Sequence, residues 1–396
     1  MDARVALVRL TVTPGVGPVT AARLLEAYES DPAAIFAAPR SILRQIPKVG
    51  PKLADALHDE RWADEAAREI ARAEDHEIGL VTRFDAAYPP GLREIPDAPP
   101  LLYVRGDLRG EAEALAVAIV GSRQTSYYGR DQARRFGREL AARGLTVASG
   151  FARGIDTAAH RGATETPGGR TIAVIGSGLL DIYPPENADL VGLVAEHGAI
   201  VSEFPLRTPP NASNFPRRNR ILAGMSLGTL VIEAGVQSGA MITARLASEY
   251  NREVLAIPGR IDDERTRGCH RLIKDGASLV ESVDDVLDAL GAVGDALRAD
   301  EAAEAGTKHQ AGEATELGAD PAGRSARNDR GAAVDRPAPQ DPVGAKVWAA
   351  LTAEPRGLEA LASDLDLPVH QVLAALTMLE LSGHVRSLAG RHYTRR

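Results

Sequence analysis

The sequence predicts an α/β protein with three folded parts: a helical amino-terminal domain, an extended Rossmann-like parallel sheet domain and a carboxyl-terminal winged-helix module. Across residues 101–290, β-branched runs alternate with amphipathic helical stretches, which is typical of a parallel sheet with right-handed crossovers. A glycine-containing turn motif occurs twice within residues 1–100. A compact apolar pattern resumes at residues 342–396, after a polar stretch at 291–341.

Composition limits the classes of protein that need to be considered. The 396 residues suit two or three domains, and 44% of them are hydrophobic, as in globular proteins. The one cysteine, Cys269, excludes a disulfide framework and a zinc finger. Asp2, Arg4 and Arg9 interrupt the apolar amino terminus, and no apolar span is long enough for a membrane helix. We therefore expect a cytoplasmic protein without membrane contact, bound metal or cofactor.

The helical domain contains an internal repeat, in which residues 14–25 match residues 47–57. Each copy predicts a tight glycine turn between two helices, as in the SAM-like helix-hairpin-helix motif. Turn amides at Gly15 to Gly17, and at Val49 and Gly50, would then face a DNA phosphate. The alternative is that the glycines close two helical corners for steric reasons alone. In both cases the helices pack through their leucines: Leu24, Leu25, Leu53 and Leu57.

Small and charged residues follow several predicted strands of the sheet domain. The strands are expected at residues 117–120, 145–148, 171–175, 199–202, 229–232 and 254–257. Open α/β sheets bind ligands at the carboxyl ends of their strands, so the residues that follow these runs are the candidates for a site. They include Gly121, Ser122 and Arg123 after the first strand, and Ser238, Gly239 and Thr243 after the fifth.

A second candidate anion site lies at the start of the helix predicted from Asn214, where Arg218, Asn219 and Arg220 follow. A helix start has free N–H groups and a positive dipole end, to which arginines add affinity for phosphate. Two anion sites in one sheet domain favour a polyanion over a single nucleotide. The formal net charge of −8 argues against a protein that coats nucleic acid, but it is compatible with a local groove.

Nucleotide enzymes are poorly supported by the glycine patterns. The turn at Gly121 is not a GxGxxG motif, and residues 176–181 lack the third glycine that close helix packing requires. No Gly-Lys-Ser or Gly-Lys-Thr sequence follows a strand, which argues against a P-loop. His160, Cys269 and His270 have no partners at catalytic-triad or metal-ligand spacing. We assign no catalytic residue.

The sheet domain resembles the DNA-processing protein A (DprA, also called Smf) family of bacterial recombination mediators. The resemblance depends on a collinear set of motifs rather than on any one of them. The matching segments are 118–123, 126–129, 149–156, 172–178, 183–187, 202–205, 215–220, 233–245, 257–259 and 272–277. The helical start and the winged-helix end also match the extended family architecture, although both modules vary among relatives.

The resemblance implies a protein that binds single-stranded DNA, usually as a homodimer, and performs no catalysis. Family members help to displace single-strand-binding protein and load RecA, which protects and processes incoming DNA in natural transformation or recombination. Carried over by position, Gly121, Ser122 and Arg123 would hold one phosphate, and Arg218, Asn219 and Arg220 another. Ser238, Gly239 and Thr243 could take part from a further helix start. Phe215 could stack on a base, whatever its identity.

Some features of the sequence allow other roles for the residues assigned from the family resemblance. Relatives commonly have a lysine near the Phe-Pro motif or beside the Tyr-Pro turn, and this chain has none there; Arg207 and Arg217 are the available substitutes. Arg123 could instead form a structural ion pair with Asp156. Arg218 and Arg220 could cap the sheet edge, because a helix start is unfavourable for unpaired cations.

The structure of the carboxyl-terminal segments is predicted from their composition and from the periodicity of their apolar residues. Residues 291–341 lack apolar periodicity and predict a disordered linker. Helices are expected at 343–351, 358–365 and 368–381, followed by a wing through 383–386 and 391–396. The recognition helix at 369–378 has one base-reading candidate, Gln371, so sequence-specific duplex recognition is not expected.

The rival functional class is a nucleoside-phosphate hydrolase of the lysine-decarboxylase-like group, which uses the same type of sheet. Those enzymes resemble this chain at Gly228, Thr229 and Glu233. Their signature is Pro-Gly-Gly-x-Gly-Thr, whereas residues 223–229 here lack most of the glycines that would cradle a phosphate. The DNA-binding interpretation therefore accounts for more of the sequence.

Overall fold

The protein is described here from a computed structural model. It describes residues 1–298, 342–352 and the following residues up to 395: 356–357, 361–362, 364–365, 367, 372, 375–376, 379, 385–388 and 392–395. The chain forms two compact units, one within residues 1–316 and one within residues 317–396. The first unit contains both the amino-terminal helices and the large sheet.

The amino-terminal helices form the predicted pair of hairpins. They are α1 (Ala3–Val12), α2 (Pro18–Ala27), α3 (Pro32–Ala37), α4 (Arg40–Leu43), α5 (Pro51–Leu57) and α6 (Arg61–Asp75). The internal repeat extends to backbone conformation, because Gly15 and its counterpart Lys48 are both left-handed, with φ of 87° and 70°. Proline begins the helix after each turn. The four predicted leucines are buried in a common core with Leu7 and Leu10.

One prediction for the turns is corrected by their hydrogen bonds. The Val49 amide donates to the Ile46 carbonyl, and the equivalent Val16 amide donates to Thr13. These amides stabilise the turns, so Val49 does not present an N–H group to a phosphate. A Cβ atom on Gly17 or Gly50 would meet no atom of the described residues within 4 Å. Steric packing therefore does not require glycine at either position.

Nine strands form one mixed sheet in the order β1-β2-β6-β5-β4-β3-β7-β8-β9. The strands are β1 (Gly79–Thr82), β2 (Leu101–Gly106), β3 (Ala116–Gly121), β4 (Thr146–Ser149), β5 (Thr171–Val174), β6 (Gly198–Ser202), β7 (Gly228–Ile232), β8 (Glu253–Ala256) and β9 (Ser278–Leu279). Strands β3 to β8 correspond to the six predicted strands, and they pair in parallel. Strand β2 pairs antiparallel with β6 and with β1.

The predicted domain boundary at residue 100 is wrong. Strand β1 lies at residues 79–82, inside the segment predicted to be helical, and it is part of the sheet. The helical domain also packs on the sheet rather than standing apart. Val8 of α1 and Ala66 of α6 share a buried cluster with Tyr103 and Ile200 of the sheet.

Helices cover both faces of the sheet. They are α7 (Pro90–Arg93), α8 (Gly110–Glu113), α9 (Tyr127–Ala142), α10 (Ile155–Thr164), α11 (Ala188–Glu196), α12 (Asn214–Met225), α13 (Gly239–Glu249), α14 (Arg267–Lys274) and α15 (Val283–Ala289). Helices α9, α10 and α15 bury their apolar side chains on one face, against β3, β4 and β7. Helices α12, α13 and α14 do so on the other. This burial on both faces explains the nearly continuous apolar runs of β3 to β7.

The start of the predicted linker also needs correction. Residues 292–298 are helical, and Leu297 packs against the core of the sheet domain, so the folded domain extends beyond residue 291. The remainder of the predicted linker lies outside the described residues.

The second unit has the winged-helix elements expected at its two ends. Helix α16 (Pro342–Ala350) is followed by β10 (Arg356–Gly357), and β11 (Val385–Leu388) forms an antiparallel hairpin with β12 (His392–Arg395). This hairpin is the predicted wing. Described residues of the intervening segment, including Leu361, Val372 and Leu376, join its buried core. Most of the predicted recognition helix, with Gln371, lies outside the described residues.

Two further observations concern residues 1–298 and the described parts of 342–395. No helix there is both long and apolar enough to span a membrane. No group of three or more His, Cys, Asp or Glu side chains there is arranged to hold a metal ion.

Candidate nucleic-acid interface

A cavity of about 300 Å³ lies at the carboxyl ends of the central strands, and we call it the phosphate pocket. It collects nine of the ten predicted site residues; only Arg220 is outside it. The nine are Gly121, Ser122, Arg123, Phe215, Arg218, Asn219, Ser238, Gly239 and Thr243. Three separate chain segments supply them: the loop after β3, the first turns of α12 and the first turns of α13. The position at the strand ends is the one expected for a ligand of an open α/β sheet.

The loop at residues 121–126 is fixed from beneath by Glu233, which follows β7. The Glu233 carbonyl accepts a hydrogen bond from the Ser122 amide at 2.7 Å. Its carboxylate accepts from the Thr125 hydroxyl at 2.7 Å, from the Ser126 amide at 2.8 Å and from the Ser126 hydroxyl. Glu233 is buried and has a left-handed backbone, with φ of 49°. It therefore acts here as an anchor for the loop.

The glycines of the pocket have two different reasons to be glycine. A Cβ atom on Gly121 would lie 1.9 Å from the Ile232 carbonyl oxygen, and one on Gly150 would lie 2.6 Å from the Asp156 carboxylate. Internal packing therefore requires both. A Cβ atom on Gly239 would meet no atom of the described residues within 4 Å, and the φ of Gly239 is not left-handed. The space beside Gly239 opens into the pocket.

Arg218 forms the floor of the pocket and is 4% exposed. Its guanidinium donates hydrogen bonds to the carbonyls of Gly150 and Val174, and its Nε donates to the Asn219 side-chain oxygen at 3.1 Å. It thereby joins the ends of β4 and β5 to α12. Burial lowers the pKa of Arg218 to about 10, with the charge of Asp156 acting against burial. The group remains a cation at neutral pH.

Asp156 is buried beside the same floor, at the start of α10. Its carboxylate accepts a hydrogen bond from the Ala152 amide at 3.1 Å. Burial raises the pKa of Asp156, while the charges of Arg218 and Arg123 oppose that rise. Among the described residues, no ion pair within 4 Å joins Arg123 to Asp156, so the structural pair considered for Arg123 is not formed. Asp156 instead orders the loop between β4 and α10.

Arg123 is exposed, and its guanidinium carbon lies 4.9 Å from the centroid of the Phe215 ring. The Phe215 ring is half-buried and contacts a second ring, Tyr183, at a centroid distance of 6.2 Å. Arg153 lies over Tyr183 at 5.9 Å. Two cations thus flank two neighbouring rings beside the pocket, and single-strand-binding grooves combine cations with rings in this way for phosphates and bases.

Two polar side chains complete the pocket wall at α13. The Ser238 hydroxyl is buried, and within the described part of the chain no group forms a hydrogen bond with it. A buried hydroxyl without a partner is unfavourable, and a ligand oxygen in the pocket would satisfy it. Asn219 is already engaged, because its amide donates to the Gly239 carbonyl at 3.3 Å. Thr243 donates to the same carbonyl at 3.3 Å.

Arg220 departs from its predicted position at a phosphate. It is 4% exposed and points away from the pocket, where its guanidinium forms an ion pair with Glu203. It also donates to the Asp97 carbonyl at 2.6 Å. Burial raises the pKa of Glu203, and the charge of Arg220 opposes that rise. In this structure Arg220 holds the end of β6 to the chain before β2, as in the alternative in which these arginines cap the sheet edge.

Neither substitute for the family's loop lysine lies in the pocket. Arg217 is stacked 4.9 Å above the Phe204 ring and 3.8 Å from Glu203. It lines a different cavity, of about 280 Å³, which also includes the first hairpin turn at Gly15 to Gly17. Arg207 is exposed on the neighbouring loop. The second hairpin turn does not line this cavity, so the two repeats have different surroundings.

Sequence reasoning gave no role to two residues that shape this site. Tyr183 was noted only as part of a motif, and its contact with Phe215 depends on two loops that are distant in the chain. Glu233 enters the sequence analysis through its likeness to the hydrolases and as the first residue of the matching segment 233–245. Its position directly after a buried strand, opposite the Ser-rich loop, is the signal that could have identified an anchoring role.

Comparison with known proteins decides the family. Residues 79–291, which are 213 of the 396 residues, match the family model described as DNA recombination-mediator protein A. The chain belongs to this family. Residues 331–391 match the DprA winged helix domain, and residues 8–61 match a SAM-like helix-hairpin-helix tandem.

Individual members of the DprA family support this assignment over most of the chain. Protein Smf of Synechocystis sp. is 34% identical over 385 residues, which are 96% of this chain and 96% of that relative. DNA processing protein DprA of Bacillus subtilis is 33% identical over 268 residues, or 67% of this chain and 89% of the relative. The X-ray structure of DNA processing protein A from Streptococcus pneumoniae has a TM-score of 0.58 and 34% identity, covering 70% of this chain and 95% of that one. The family match favours a DNA recombination mediator over the nucleoside-phosphate hydrolase.

Proposed function

We propose that this protein binds single-stranded DNA in the phosphate pocket, protects incoming DNA and loads RecA onto it as a recombination mediator. The observation that carries the proposal is the open wall of the pocket. Arg123 supplies an exposed cation, Ser238 a buried hydroxyl that has no partner among the described residues, and Gly239 a space that those residues leave open. Together they suit a phosphate oxygen that approaches the starts of α12 and α13.

Base identity has little influence on the proposed binding. The pocket offers charge and hydroxyl groups for the backbone and the Phe215 ring for stacking, and the neighbouring Tyr183 ring adds a second stacking surface. Stacking on an aromatic ring contributes about 1–3 kcal/mol per base and tolerates every base. A duplex presents its bases already stacked and paired, so these rings favour a single strand.

The test is a comparison of single-stranded and duplex oligonucleotides by fluorescence anisotropy at several salt concentrations. We expect tighter binding of the single strand, similar affinity for different base compositions, and a slope of log affinity against log salt of about −0.7 for each phosphate neutralised. Preferential binding of duplex, or affinity that does not change with salt, would contradict the proposal.

RecA loading, displacement of single-strand-binding protein and homodimer formation are separable parts of the proposal. Membership of the mediator family supports them. Loading is measured by RecA filament assembly on oligonucleotides coated with single-strand-binding protein, with and without this protein. We expect faster assembly that is lost with Arg123→Ala. Sedimentation of the free protein measures the oligomeric state, and a monomer at all concentrations would remove the dimer from the proposal.

We infer no catalysis at the pocket. The carboxylate that resembles a hydrolase residue, Glu233, is occupied by donors of the 122–126 loop. Incubation with nucleoside monophosphates, followed by chromatography for released base, tests the point, and base release above the level of a Glu233→Gln control would overturn the inference.

A further inference from the structure

A second, larger depression of about 520 Å³ lies between α9 and α10, and we call it the arginine groove. None of its charged residues except Arg123 was predicted as a site residue. Arg123 lines both the arginine groove and the phosphate pocket, so the two cavities adjoin at this side chain. The charged side chains that line the groove are Arg123, Arg130, Arg134, Arg153, Arg161 and Asp131.

The positive charge of the groove is not evenly compensated. Arg134, Arg153 and Arg161 form exposed ion pairs with Glu165, Glu186 and Asp189, at 2.5–2.6 Å. Arg123 and Arg130 are exposed and form no such ion pair with the residues that the structure describes. The cations without such a pair are therefore Arg123, which also lines the phosphate pocket, and Arg130, near the start of α9.

The groove lining also includes the carboxylate of Asp131, and the groove retains its excess of positive charge when Asp131 is counted. Asp131 acts on Arg134, whose pKa is raised first by Glu165 and in smaller measure by Asp131. Exposed ion pairs are individually weak, so a phosphate can compete for the paired arginines as well. A polyanion in the groove would therefore find two kinds of arginine available: those without an ion pair and those held in weak, exposed pairs.

An exposed aromatic ring also lines the arginine groove. Tyr127 begins α9, lines the groove and is 84% exposed. The Phe215 and Tyr183 rings are half-buried, whereas the Tyr127 ring has nearly its whole surface in solvent. Alternation of exposed cations with an exposed ring is the pattern of a surface that holds a single strand through phosphates and stacked bases.

We propose that a DNA strand held in the phosphate pocket continues past Arg123 into the arginine groove, where Arg130 contacts a phosphate and Tyr127 stacks on a base. This inference rests on the proposed single-strand binding and defines the side of the pocket on which the strand leaves. The protein thereby holds a longer stretch of DNA than the phosphate pocket alone can accommodate.

The test is the double variant Tyr127→Ala, Arg130→Ala, assayed by anisotropy with labelled oligothymidylates of about 6 and about 24 nucleotides. Arg138→Ala is the matched control, because Arg138 is exposed on the same helix and does not line the groove. We expect the double variant to bind the long strand at least about tenfold more weakly, with a salt slope smaller by about 0.7, and to bind the short strand as wild type does. The variant Tyr127→Phe keeps the ring and should bind the long strand normally.

Three outcomes overturn the inference. The double variant could bind the long strand like wild type, or weaken no more than Arg138→Ala, and the groove would then carry no DNA. It could also weaken short and long strands equally, which would assign both residues to the phosphate pocket itself. Failure of the proposed function looks different, because Arg123→Ala would then leave the binding of both strands unchanged.

Discussion

The arginines of α12 and those beside α9 carry the same charge at neighbouring places in the fold, yet they have opposite surroundings. Arg218 and Arg220 are buried, and protein carbonyls and carboxylates take up their donors. Arg123 and Arg130 are exposed and have no ion pair among the described residues. The difference teaches that burial separates the two roles: the buried arginines of α12 hold the pocket together, and the exposed Arg123 and Arg130 remain available to a ligand.

The largest expected effect is on stability, from Arg220→Met. Removing the cation leaves the buried Glu203 carboxylate with the longer 3.8 Å contact to the exposed Arg217 in place of its buried partner, which should lower the free energy of unfolding by about 3–5 kcal/mol. Urea denaturation at pH 7.5 measures it. The double variant Arg220→Met, Glu203→Gln should recover part of the loss, because no buried charge then remains unpaired. A stable Arg220→Met protein that loses DNA affinity would instead support the phosphate contact predicted from sequence.

The variant Arg123→Ala tests the exposed arginines, for which we expect an effect on DNA binding rather than on stability. The side chain is exposed and forms no buried bond, so the free energy of unfolding should change by less than about 0.5 kcal/mol. Loss of a charge-assisted phosphate contact should weaken single-strand binding by about 1.5–3 kcal/mol. Oligonucleotide titration and thermal melting on the same preparations separate the two effects. Unfolding of this variant would place Arg123 with the buried arginines.

The interior behind Arg218 should give the protein a measurable pH dependence. His160 is buried, its Nδ1 lies 2.7 Å from the Thr171 hydroxyl, and burial, with help from the Arg218 charge, lowers its pKa to about 3. The unfolded chain takes up this proton below about pH 6.5, whereas the folded chain does not until about pH 3. His160 therefore contributes stability that is fully present above pH 6.5 and declines as the pH falls, by about 1.4 kcal/mol per unit.

Unfolding free energies of wild type and His160→Asn, measured from pH 7.5 to 5, isolate this contribution. The wild type should lose stability more steeply than the variant over that range. Taking the difference in slopes removes the titration of carboxylates that both proteins share. Parallel slopes would show that His160 titrates normally in the folded protein.

The smallest expected effect distinguishes the two kinds of glycine in the pocket. Gly239→Ala places a methyl group in open space, so the fold should be unchanged or stabilised by about 0.4–1 kcal/mol. The same methyl group narrows the pocket and should weaken DNA binding by on the order of 1 kcal/mol. Gly121→Ala is the contrasting control, because its Cβ would overlap the Ile232 carbonyl and destabilise the protein. Normal DNA binding by Gly239→Ala would show that the ligand does not approach this wall.

The sequence was sufficient for the strands whose two faces are buried, and insufficient where identity depends on neighbours. Runs such as 117–120 are apolar throughout because helices cover both sides of the sheet, so they could be recognised without the fold. Strand β1 is short, lies at the edge and is only partly buried, so its residues carry no comparable pattern. It was consequently assigned to the helical region.

In the candidate site, too, some features could be predicted from the sequence and others depend on the fold. Nine residues could be placed at one sheet edge because the carboxyl ends of parallel strands converge there. The separation of Arg218 from Arg220 follows from helix geometry, since residues two apart do not share a face. That argument was available from the sequence, but it could not say which of the two faces the pocket. Burial of Arg218 by the carbonyls of Gly150 and Val174 depends on strands that only the fold brings together.

The position of Arg123 over the Phe215 ring has a consequence for which molecules can compete with DNA. The guanidinium already occupies a face of the ring, so a base that is to stack on that face has to displace it. A phosphate in the adjoining pocket attracts the displaced guanidinium, whereas an uncharged planar molecule gives it no new partner. Free nucleobases and nucleosides should therefore be poor competitors, and short oligonucleotides, which bring ring and phosphate together, should be effective ones.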